Sequence, residues 1–114
     1  MTLIQKLDET LSELNITFYP GYYQGSGEDY GIYEGIVEST ELSADNEPQI
    51  TVYQCNVHLF VKSAQSRKKK ELLRLLRAGD FSVGDVYEQF EAETNYTHYI
   101  AEVSILGDNF ETED

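Results

Sequence analysis

The chain has 114 residues, 21 acids against eight bases for a net charge of −13, and 40% hydrophobic content, enough for one domain with its own core. A single cysteine, Cys55, excludes an internal disulfide framework and points to a reducing cytosol. No apolar run approaches the ~20 residues of a membrane helix, and Lys6 and Asp8 come too early for a signal peptide.

The charge is segregated. Seven of the eight bases lie within residues 62–77: Lys62, Arg67, Lys68, Lys69, Lys70, Arg74 and Arg77. Glu71 is the one acid in that stretch, so the body outside it carries 20 acids and one base, Lys6. Such segregation speaks about partners.

In chain order, Leu3, Ile4, Leu7, Leu11 and Leu14 recur at helical spacing and predict an amphipathic helix over 2–14, with Thr2 as N-cap and Asn15 as its stop. A short apolar piece, Ile16 to Tyr19, ends at Pro20. Residues 20–29 are a glycine-rich loop, expected to be mobile and to make contacts through Tyr22, Tyr23, Glu28 and Asp29. Tyr30 to Glu38 predicts a strand whose glycines mark a bulge or a close backbone approach. After a polar turn at 39–48, Tyr53, Cys55, Val57, Leu59 and Val61 alternate with Gln54, Asn56, His58 and the exception Phe60, a half-buried strand. The basic helix is expected over 64–78, with Ser66 as N-cap, four leucines facing inward and Gly79 as its C-terminal cap. Residues 81–91 and 96–106 predict a hairpin. The fold class is α+β: a mostly antiparallel sheet with two helices packed on one face. One domain is expected over 1–106, and an acidic flexible tail over 107–114.

Catalytic patterns do not assemble. Gly25-Ser26-Gly27 lacks the third glycine of a dinucleotide fingerprint, position 30 being Tyr30, and no Gly-Lys-Ser/Thr supplies a P-loop. Cys55 and His58 point to opposite faces of their strand, so Cys55 reads as a buried inert thiol. His58 and His98 are cross-strand candidates, but two histidines fall short of a four-ligand zinc site, and both read as solvent-facing. The carboxylates offer no pair with separated roles. No enzyme activity, cofactor or metal is expected.

The basic cluster admits three readings. It is a solvated helix face, a nucleic-acid contact through Arg67 to Lys70, or one half of a self-assembly interface. Against nucleic acid, the acid excess repels polyanions and no stacking aromatics interleave with the run. Self-assembly fits better, since a basic stripe on one copy faces an acidic surface on the next, in a ring or a filament.

The order of elements, with Ala44-Asp45-Asn46-Glu47 leading into Tyr53-Gln54-Cys55-Asn56-Val57-His58-Leu59-Phe60, resembles the tail-terminator and head-to-tail joining proteins of long-tailed bacteriophages. Ala78-Gly79-Asp80-Phe81 after a lysine-rich helix, and Tyr87-Glu88-Gln89 through Tyr96-Thr97-His98-Tyr99, extend the likeness over residues 1–106. The resemblance implies a non-enzymatic ring, typically of six copies, meeting tail-tube and head-connector proteins. It implies no specific nucleic-acid or membrane binding, with the protein in the virion and, during assembly, the host cytoplasm. The glycine-rich loop and the acidic tail depart from the pattern. The alternative is an acidic cytosolic binding module that contacts a host protein or mimics nucleic-acid charge.

Overall fold

The computed structural model describes residues 1–23, 27–41, 50–62, 66–107 and 110–112. Helix α1 (Leu3–Thr10) and a 3₁₀ turn (Ser12–Leu14) precede strands β1 (Thr17–Pro20), β2 (Tyr30–Glu41) and β3 (Ile50–Val61). Helix α2 (Ser66–Ala78) and strands β4 (Ser82–Glu91) and β5 (Tyr96–Leu106) complete the chain. The strands form one sheet in the order β1-β2-β3-β5-β4; β1 runs parallel to β2 and the other pairs are antiparallel. The class is therefore α+β, and both helices cover one face.

The first helix starts as the sequence predicts. The Thr2 hydroxyl accepts from the Gln5 N–H at 3.1 Å, and the Gln5 side chain accepts from the Thr2 N–H at 2.8 Å, a reciprocal cap. It ends sooner than residue 14. The Ser12 hydroxyl donates to the Glu9 carbonyl at 3.0 Å, competing for an acceptor the next turn needs. The chain tightens into a 3₁₀ turn, which Asn15 closes in the left-handed region (φ +56°).

The core lies between the helices and the sheet. Leu3, Leu7 and Leu11 from α1 and its following turn meet Leu72, Leu75 and Leu76 from α2, above Tyr33, Val57, Leu59, Val61, Tyr99 and Ala101. Full burial of each large side chain contributes roughly 1.5–3 kcal/mol. Two glycines permit close approaches. A Cβ at Gly31 would lie 2.1 Å from the Phe18 ring, so glycine is what lets β1 pack beside β2. A Cβ at Gly79 would come within 2.6 Å of Thr10, where α2 meets α1. The left-handed residue ending α2 is Asp80 (φ +73°) rather than Gly79, with the Phe81 N–H reaching the Leu76 carbonyl at 3.0 Å. Ser66, expected as the cap, is already helical; residues 63–65 lie outside the described residues.

The second strand runs on to Glu41, past the turn expected to begin at residue 39; the rest of that turn lies outside the described residues. Its ladder with β3 shifts between Glu34 and Val37, and Gly35 takes φ +68° there, the bulge predicted from its glycines. In the segment expected as a tail, Phe110 packs edge-on against Tyr53 at 5.1 Å. The Glu111 N–H donates to the Met1 carbonyl at 3.0 Å.

Candidate assembly surfaces

The helix sorts its basic run by period. Arg67, Lys70, Arg74 and Arg77, spaced i, i+3, i+7 and i+10, form one exposed row, whereas Lys68 and Lys69 turn toward the body. Lys68 pairs with Asp29. Lys69 lies 3.9 Å from Glu88 and 5.6 Å above the Tyr99 ring. Lys62 donates to the Thr94 carbonyl at 2.6 Å and stands 4.2 Å over Tyr96. Arg74 meets Glu71 at 2.7 Å and Glu13 at 3.7 Å, and Glu71 above all raises its pKa. Arg67, Lys70 and Arg77 meet no carboxylate among the described residues. Two of these, Arg67 and Lys70, sit in the first turns, where the helix dipole disfavours positive charge.

The described ends of the glycine-rich loop are tied down. Tyr23 stacks on Tyr19 at 3.8 Å. The Tyr96 hydroxyl donates to the Glu28 carbonyl at 2.8 Å and accepts from the Gly27 N–H at 3.2 Å. Asp29 accepts from the Lys62 N–H at 2.9 Å in addition to its Lys68 pair. Tyr22 is 85% exposed. Thus Lys62, Lys68, Glu28 and Asp29 converge on one corner built around Tyr96, a residue the sequence did not single out.

The outer face of the sheet, opposite the helices, carries a second cluster of Tyr30, Phe60 and Tyr96, with Tyr19, Tyr23 and Ile32 packed against it. The histidines beside it are not solvent-facing as predicted; their side chains are 14% and 13% exposed. Phe60 pairs in register with His98 and stacks on it at 4.0 Å, which brings the His98 Nε2 within 2.7 Å of the His58 Nδ1. His58 Nε2 lies 2.9 Å from Glu34 Oε1, which also accepts from Asn56 at 3.0 Å. With Glu34 as acceptor, His58 donates from Nε2 and receives the His98 N–H at Nδ1. Burial first, then His58, holds the His98 pKa below its ordinary 6.5. The hydrogen bond from His58, then that from Asn56, holds Glu34 below its ordinary 4.5. Among the described residues, no group of three or more His, Cys, Asp or Glu is placed to hold a metal. Cys55 is buried on the helix side, away from both histidines.

Farther along the outer face, a groove runs over Gln54, Asn56, Glu102 and Ser104, between the β2 bulge at Gly35 and a β4 bulge at Gly84. At its end, Val37, Ile50 and Leu106 are 48%, 52% and 68% exposed. Register puts all three on the outer side, since Val37 and Leu106 face Gln54 and Val52.

No protein-family model matches the sequence, and no curated protein matches it. Among solved structures, the fold is similar to a chain of the virion of a native gene transfer agent (GTA) particle. The match covers 92% of this chain and 90% of that one, with a TM-score of 0.58 and 6% sequence identity. What the two share is the fold. Among the described residues, no helix is long and apolar enough to cross a membrane.

Proposed function

We propose that the protein is a non-enzymatic structural subunit of a phage or prophage-derived virion, and that it assembles into a ring at the head–tail junction as a tail terminator or joining protein. The observation that carries this reading is the fold likeness to a GTA virion chain, which spans nearly the whole of both chains. The surface supports it. A cationic row on α2, three of whose four members meet no carboxylate among the described residues, and an acidic body make a head-to-tail contact favourable, and such a contact closes into a ring when its rotation permits. The partners are copies of the chain itself, the tail tube on one side and the head connector on the other. Its place is the virion, after assembly in the host cytoplasm. A ring whose lumen carries the acid excess would pass DNA without holding it, because like charges repel.

Sedimentation equilibrium over a concentration series, alone and with purified tail tubes, tests the reading, with electron microscopy of the mixture. A fixed multiple of the 13.0 kDa chain mass, seen as a ring capping one tube end, is the expected outcome. A chain that stays monomeric at every concentration and ignores the tubes overturns it.

A further inference from the structure

We infer that the cationic row of α2 in one copy seats in the outer-face groove of the next, crossing its strands. This rests on the assembly reading and names the contact that would make it.

Glu102 lines the groove, Glu34 and Asp85 flank it, and no Lys or Arg lines it among the described residues. The Tyr87 hydroxyl lies 3.3 Å from Asp85 and 3.4 Å from Glu102, so two carboxylates converge on a group with one proton to give. Across the groove, Glu34 uses Oε1 for both His58 and Asn56, and its Oε2 meets no donor among the described residues. No Lys or Arg among the described residues pairs with any of the three. Those carboxylates therefore mirror Arg67, Lys70 and Arg77, three cations that meet no acid among the described residues.

The dimensions agree. Arg67 to Arg77 covers about 15 Å along a helix at ~1.5 Å per residue. Glu34 on β2 and Asp85 on β4 stand three strand spacings apart, about 14 Å at ~4.8 Å each. Exposed Val37 and Leu106 at the groove's end offer apolar surface to the aliphatic stems of Arg and Lys, whose charged heads reach the carboxylates.

Geometry also selects a second copy as the occupant. The row lies on the helix side of the sheet and the groove on the other, so no molecule can satisfy itself. Each copy offers both halves, and the contact is head-to-tail.

Charge reversal tests the pairing. Two variants, R67E/K70E/R77E and D85K/E102K, are compared with the wild type by sedimentation, under the conditions and tube supplement in which the wild type assembles. Each alone should raise the half-assembly concentration about a hundredfold, since like charges then face one another. An equimolar mixture should return to within about tenfold of the wild type, because every row then meets a groove of opposite sign. Thermal melts report whether each variant folds, and the single reversals K70E and E102K, which keep the reversed sign that the mixture needs, replace any that does not. Assembly unchanged in either variant overturns this contact and leaves the ring reading standing. Loss in both variants without recovery in the mixture overturns the pairing of these two surfaces. A wild type that never assembles overturns both readings.

Discussion

The two faces of the sheet are made by the same strands and do different work. On β3, Tyr53, Cys55, Val57, Leu59 and Val61 face the helices, and all are buried. Gln54, Asn56 and His58 face the other way, into a layer of rings, carboxylates and a groove with no helix over it. The helix face holds the fold by excluding water, without needing specific partners. The outer face is held by directional bonds among polar groups and, among the described residues, leaves Asp85 and Glu102 without a cation. Alternation along one strand thus separates a packed apolar face from a polar one.

The largest expected effect lies on the helix face. Leu76, fully buried between α2 and the sheet, should cost about 2–5 kcal/mol on truncation to alanine, read from the shift in urea midpoint. A loss under about 1 kcal/mol would erase the distinction between the faces. On the outer face, Tyr96→Phe removes a hydroxyl that both donates and accepts and should cost about 1–3 kcal/mol. Faster amide exchange at Gly27 should accompany it, and unchanged exchange would mean that Tyr96 does not hold the loop.

A pH series sharpens the comparison further. Because the folded His98 pKa lies below 6.5, the unfolded chain binds that proton more readily. Stability present above about pH 6.5 is therefore lost as pH falls through the lower folded value. Glu34 adds a loss of the same sign below its ordinary 4.5. The melting temperature should decline between pH 7 and 5, and His98→Gln should flatten that decline. An equal slope in the variant would place the acid sensitivity elsewhere. The smallest effect is expected at the helix row, where R67E/K70E/R77E should leave stability within about 0.5 kcal/mol per substitution by urea denaturation while weakening assembly about a hundredfold.

Much of the helix face is legible in the sequence because it obeys simple periods. The leucines of α1 and α2 and the alternations of β3 and β5 announce their buried sides directly. The division of the basic run was also present, since 67, 70, 74 and 77 follow the helical repeat. Reading it as a block of like charge hid the fact that Lys68 and Lys69 face inward. The outer face resisted for a different reason. Phe60 interrupts a polar alternation, yet its ring becomes meaningful only when register places it on His98 and beside Tyr30 and Tyr96. The groove depends on bulges in two strands far apart in the sequence, at Gly35 and Gly84. The parallel pairing of β1 with β2 likewise has no local cue beyond the small size of Gly31.

Two open stretches of the sheet's edges are acidic, although the edge strand β1 itself carries no carboxylate. Beyond Tyr33, where β1 stops, β2 bears Glu34 and Glu38; on the far side, β4 bears Asp85, Glu88 and Glu91. Strand-to-strand joining at these margins would set carboxylate against carboxylate, which disfavours the runaway sheet growth that exposed strands invite. Along those stretches the sequence itself guards the chain against pairing with another strand.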